Sequence, residues 1–143
     1  MDKIILLLFL SGFNGFGQEL TCADFKNGSF LSTSEVFGKE IHFRIIRDGN
    51  SQTEVLLDSL PGLPPGFPRE EHILLEWIDN CSYYARKDSS ATAASGQYSD
   101  QHSRVLVEMI KIEDGCFYYR STSEINGEPV SINGKICKEE QLN

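Results

Sequence analysis

Ile41-His42-Phe43-Arg44-Ile45-Ile46-Arg47-Asp48-Gly49-Asn50-Ser51-Gln52-Thr53-Glu54-Val55-Leu56-Leu57 is the stretch that decides the fold. In its first arm Ile41, Phe43 and Ile45 alternate with His42, Arg44 and Ile46, and in its second Thr53, Val55 and Leu57 alternate with Gln52, Glu54 and Leu56. A period of two sends successive side chains to opposite faces, which is the pattern of a half-buried strand. Between the arms, Asp48-Gly49 supplies the residue types that accept the left-handed backbone of a tight turn. The stretch is a β-hairpin.

The same grammar extends outward in both directions. Upstream, Ser29 to Ser32 reads as a short first strand. Downstream, Ser59 to Pro68 holds four prolines and two glycines, a composition that withholds backbone donors and belongs in a surface loop. Ile73, Leu75 and Trp77 then alternate with His72, Leu74 and Glu76, and Asp79-Asn80 turns the chain into Cys81-Ser82-Tyr83-Tyr84-Ala85. Lys87 to Ser103 is a long polar loop. Val105, Val107 and Met109 lead to Ile110 and Ile112, where the apolar parity changes, so a β-bulge is expected near Met109. Asp114-Gly115 and Asn126-Gly127 are turn signals that bracket a strand starting at Cys116, and Val130 to Cys137 is a last strand interrupted by Gly134. No stretch has a 3.6-residue period long enough for a core helix. The chain is therefore read as all-β, an antiparallel meander of about eight strands closed into a barrel or, alternatively, folded as a β-sandwich.

The apolar run Ile4 to Leu10 after Lys3, followed by the small-residue stretch Ser11 to Gly17, reads as a signal peptide over residues 1–17, cut before Gln18. It is too short for a membrane span, and no later segment reaches the required length of about 20 apolar residues. Residues 18–143 are expected to form one domain, secreted, periplasmic or at the cell surface. A lipid anchor on Cys22 is the rival reading, which Glu19, Leu20 and Thr21 make a poor match. The net charge of −8 argues against nucleic acid or anionic membrane as partners. Four cysteines in an exported chain imply two disulfides, with three connectivities open. Cys22 with Cys81 and Cys116 with Cys137 is favoured, the second bridge closing a single hairpin.

The segment Cys22-Ala23-Asp24-Phe25-Lys26-Asn27-Gly28-Ser29-Phe30, with Arg47, Gln52, Glu54 and the block Trp77-Ile78-Asp79-Asn80-Cys81-Ser82-Tyr83, resembles a group of small exported β proteins of flavobacteria and their relatives. The shared pattern runs C-x2-FK-x-G-x-F, R-x(n)-Q-x-E, then W-x-x-x-C-x-Y, and covers most of Cys22 to Tyr119. The resemblance implies export, a lipocalin-like β-barrel and pairing of Cys22 with Cys81, and it supplies no catalytic residues. This chain departs from the pattern in its proline-rich segment and in adding Cys116 and Cys137.

No stretch carries catalytic machinery or a cofactor motif. No G-x-S-x-G turn presents a serine, and His42, His72 and His102 stand without H-x-H or H-E-x-x-H spacing. Glu70-Glu71, adjacent on a strand, face opposite sides and are expected to mark a soluble edge. Tyr83-Tyr84 and Phe117-Tyr118-Tyr119 place one ring inside and the next outside, as packing pairs or as a binding platform. Asp58-Ser59-Leu60 resembles a short O-glycan acceptor. The chain is thus expected to be a monomeric, non-catalytic binding protein without cofactor, with Phe43, Trp77, Val107, Tyr83 and Tyr118 as candidate lining for a small hydrophobic ligand. Trp77 reads more simply as a core anchor. The alternatives are a surface protein- or glycan-interaction module acting through Ser59 to Pro68 and Lys87 to Ser103, and, less favoured, a hydrolase.

Overall fold

The structure, a computed structural model, describes residues 19–36, 38–59, 68–90 and 104–139. The segment read as a signal peptide, residues 1–17, and most of the two segments read as loops, 59–68 and 87–103, with His102, lie outside the described residues. Eight strands run in chain order: β1 Asn27–Val36, β2 Lys39–Asp48, β3 Ser51–Leu56, β4 Glu70–Trp77, β5 Ser82–Lys87, β6 Arg104–Glu113, β7 Cys116–Ile125 and β8 Glu128–Lys138. Each pairs antiparallel with the next, and β8 returns to β1, so the sheet is a closed barrel. Closure removes the unpaired edges that an open sheet would leave.

The turns form where the residue types demand. Asp114 and Gly115, and Asn126 and Gly127, all have positive φ, as a two-residue type I′ hairpin turn requires. The register of β6 against β7 shifts between Met109 and Lys111, which places the bulge where the apolar parity changes. The first strand is longer than the four residues its sequence marks, because Thr33 to Val36 are zipped onto His42 to Lys39 by the neighbouring strand.

The strand β3 departs from its alternation. The turn sets Arg47 opposite Gln52 and Ile45 opposite Glu54, so Gln52, Glu54 and Leu56 share the interior with Phe43, Ile45 and Arg47. Thr53, Val55 and Leu57, the more apolar-looking set, face outward. A hairpin's register is fixed by its turn, and here it overrides the side-chain pattern.

One end of the barrel is plugged. A single 3₁₀ turn, Cys22–Phe25, is the only helical element among the described residues and drops Phe25 into the opening with no exposed surface. Its ring stacks on Phe30 at 5.6 Å and meets Phe117 at 5.5 Å, with Ile45 and Ile136 completing the cluster. Burying each such side chain contributes roughly 1.5–3 kcal/mol. Cys22 bridges to Cys81, tying the plug to the β4–β5 turn, and Cys116 bridges to its directly opposed partner Cys137 on β8. The first bridge consumes the Cys22 sulfur that a lipid anchor would need.

The barrel seam β1–β8 is short, running from Phe30 opposite Lys138 to Ser34 opposite Gly134. It is clasped from outside by Glu139, whose carboxylate accepts hydrogen bonds from Ser29 Oγ (2.6 Å) and Arg44 Nε (2.9 Å). These bonds hold the Glu139 carboxyl below its ordinary range.

Candidate functional site

Beyond the aromatic plug the interior is only partly filled. A cavity of about 430 Å³ occupies the half of the barrel toward the β3–β4 and β5–β6 connections. That volume lies within the range of about 300–1,000 Å³ that suits small-molecule sites. Phe43, Ile45, Ile73, Ala85, Val105 and Val107 supply its apolar surface. Two polar walls interrupt them. Ser32, Ser34, Tyr119 and Ser121 form a hydroxyl wall on β1 and β7, and Glu54, Glu71 and Lys87 form a charged wall on β3, β4 and β5.

The hydroxyl wall exists because Gly134 has no side chain. Tyr119 lies across the glycine, where an added Cβ would stand 2.5 Å from its Cζ, and its hydroxyl pairs with Ser34 Oγ at 3.0 Å. The interruption in β8 is thus the seat of an inward aromatic ring.

The charged wall follows from the β3 register. Glu54 and Glu71 are direct cross-strand partners. Lys87 Nζ donates to Glu71 Oε1 at 3.2 Å, whereas Glu54 accepts from the Gln52 amide at 2.5 Å. Desolvation in the barrel wall raises the Glu54 carboxyl above its ordinary range; the Gln52 bond opposes this, the Glu71 charge adds to it, and Arg47 opposes it weakly. The Glu70-Glu71 doublet does face two ways, but β4 is paired on both sides, so Glu71 lies on the cavity wall rather than at an edge.

Below the cavity, Arg47 is buried at 3% exposure. Its guanidinium donates through Nε to Gln52 Oε1 (2.6 Å), through Nη1 to the Phe25 carbonyl (2.9 Å) and through Nη2 to the Tyr83 hydroxyl. Burial pushes the Tyr83 phenol up to about 12, against the opposing pull of the Arg47 charge, so it stays protonated. Trp77 packs on Tyr83 at 4.7 Å, donates Nε1–H to the Gly49 carbonyl, and is capped by Lys26 Nζ at 4.6 Å. A line of hydrogen bonds therefore runs from Tyr83 through Arg47 and Gln52 to Glu54, from plug to cavity wall. Charge-assisted bonds of this kind, in a dry interior, fix side chains firmly.

Of the residues singled out from the sequence, Phe43, Tyr83 and Val107 meet on the cavity. Trp77 lies at the plugged end beside Tyr83, and Tyr118 is on the outer face under Lys111 Nζ. The ring of the triplet that reaches the cavity, beside the buried Phe117, is Tyr119. The two described histidines serve the exterior: His42 contacts Asp58 and Glu40, and His72 contacts Thr53 and Glu70. Among the described residues no three His, Cys, Asp or Glu gather as a metal site, and no helix is long and apolar enough to cross a membrane.

Sequence reasoning passed over Ser32, Ser34, Gln52, Glu54, Glu71, Tyr119 and Ser121 as lining. The signal for two of them was present: Gln52 and Glu54 stand in the quoted R-x(n)-Q-x-E pattern, and their parity relative to the Asp48-Gly49 turn places them inside. Comparison with family models, with curated proteins and with solved structures finds no match.

Proposed function

We propose that this chain is an exported, non-catalytic binding protein that holds a small molecule with an apolar body inside its barrel. The observation that carries the reading is the cavity of about 430 Å³ between the aromatic plug and the far end, lined by apolar and polar side chains together. Such a lining buries an apolar body while a few placed polar groups set its orientation. The two disulfides and the signal-like start Met1 to Gly17 support export. The resemblance of Cys22 to Tyr119 to small exported flavobacterial proteins supports a lipocalin-like type.

Rigid walls favour this use of the barrel. The plug, the disulfide to Cys81 and the Arg47 hydrogen bonds hold the floor of the cavity, so the site is preformed and its ligand need not order it. Native mass spectrometry of the disulfide-bonded chain with fatty acids, retinoids, alkyl alcohols and alkylamines should show one-to-one adducts. Ala85→Phe, which fills the cavity from one wall, should remove them while leaving the circular dichroism unchanged. Absence of adducts with every member of the panel refutes the reading.

A further inference from the structure

The charged wall of the cavity carries an imbalance. Glu54 and Glu71 face one another across β3 and β4, and the one ammonium bonded to the pair, Lys87 Nζ, is engaged with Glu71. Among the described residues no lysine or arginine forms an ion pair with Glu54. Arg47, the nearest buried cation along the strand, spends its donors on Gln52, Phe25 and Tyr83. Arg86 also borders the cavity, yet it is an exposed residue whose parity on β5 points it outward from Tyr83, Ala85 and Lys87. The polar groups that remain on the opposite wall, Ser32, Ser34, Tyr119 and Ser121, are neutral hydroxyls.

We infer that the cavity selects an organic cation, an amine whose ammonium sits against Glu54 and Glu71 while its apolar body lies on Phe43, Ile73 and Val105. This rests on the binding-protein reading and names the chemical class of its ligand. An ammonium donates three hydrogen bonds and can serve both carboxylates, whereas Lys87 serves Glu71 alone. A fatty carboxylate would face Glu54 at close range in a partly desolvated site, where like charges repel strongly. A neutral alcohol can hydrogen-bond to these walls but brings no charge to pair with the carboxylates.

The same geometry sets a pH dependence. Glu54 is faced by Glu71 on β4, Lys87 and Tyr83 on β5, Tyr119 on β7 and, through Gln52, Arg47 on β2. Burial raises its carboxyl, so protonation removes one partner of the ammonium at a pH above the ordinary glutamate range. Amine affinity should therefore fall as pH is lowered through that transition, and alcohol affinity should not.

The test is isothermal titration of the disulfide-bonded chain at pH 7.5 with octylamine, octanoate and octanol, each below its aggregation limit. Octylamine is expected to bind at least ~10-fold tighter than either of the others, a difference of about 1.4 kcal/mol. Glu54→Gln and, separately, Glu71→Gln should each bring octylamine to within about 3-fold of octanol measured on the same variant, with circular dichroism unchanged. Octanoate or octanol binding as tightly as octylamine overturns the cation assignment and leaves the cavity reading standing. Binding of none of the three overturns the cation assignment, and the cavity reading falls with it when the wider panel also gives no adduct.

Discussion

Replacing Arg47 by methionine removes the donor at the centre of the plugged end while keeping much of its apolar length. Three acceptors then lose their partner: Gln52 Oε1, the Phe25 carbonyl and the Tyr83 hydroxyl. Each buried acceptor left unpaired costs about 1–3 kcal/mol, so the gross loss is about 3–9 kcal/mol. Relief of the guanidinium's own desolvation returns part of this, and the Gln52 amide can rotate toward the Tyr83 oxygen. A net loss of about 3 kcal/mol is expected, which for a domain of this size lowers Tm by about 12 °C. Urea denaturation followed by circular dichroism, with the disulfides intact, measures it directly. Arg47→Lys supplies a control on geometry, because a single ammonium cannot reach three acceptors spread around a planar fork. It should recover less than half of the loss. A methionine variant that unfolds within about 1 kcal/mol of the parent, or a lysine variant as stable as the parent, would show that the hydrogen bonds are not what holds this end.

Other consequences follow from single features. Gly134→Ala should displace the Tyr119 ring and break its bond to Ser34, at about 1–3 kcal/mol in urea titrations; an unchanged midpoint would mean the ring moves freely. Removing Cys22–Cys81 opens a separation of 59 residues against 21 for Cys116–Cys137. Serine pairs should therefore cost about 4 and about 3 kcal/mol respectively by chain entropy, with the first also freeing the plug, and the reverse order in denaturant midpoints counts against the plug. Glu54 binds its proton more tightly folded than unfolded, so its contribution to stability is present at low pH and declines as pH rises through its raised folded value. Glu54→Gln should then raise the denaturation midpoint at pH 7.5 and flatten that decline; a lower midpoint would contradict the sign. Asp24, Asp79 and Glu139 act the opposite way, their carboxyls held low by hydrogen bonds from Thr21, from Cys81 and Ser82, and from Ser29 and Arg44. Their stabilisation should be lost as pH falls through the acid range, which a pH series of thermal melts reads out.

Strands with strict alternation and tight turns with Asp-Gly or Asn-Gly were legible because both signals are local and agree. Parity alone puts Tyr83 opposite Tyr84 and Phe117 and Tyr119 opposite Tyr118, but it does not say which face is interior, and Tyr118, expected as lining, lies outside. The β3 face was not legible by hydrophobicity, since Gln52 and Glu54 point inward and Val55 does not. The hairpin turn sets that inversion, and the buried Arg47 opposite Gln52 supplies the donor that satisfies it. The lining was legible only where it was apolar, as at Phe43 and Val107. Serine and glutamate on a wall look like solvent-facing residues until the barrel closes around them. The quoted motif residues did mark one place: Phe25, Phe30, Arg47, Gln52, Trp77 and Tyr83 all converge on the plugged end.

The short seam between β1 and β8 has a bearing on how the barrel assembles. Seven of its eight ladders join neighbours in the chain and can zip as hairpins, each after closing a modest loop. The eighth must bring Phe30 to Lys138, the most distant meeting in the sheet, and offers only five paired positions in return. Non-local pairing of that kind is slow to find, because the chain entropy is surrendered before the contacts form. Circularisation is therefore the late event, and the Glu139 clasp to Ser29 and Arg44 acts as the latch that follows it. Once latched, exchange of the amide hydrogens from Phe30 to Ser34 reports whether the wall parts at that seam.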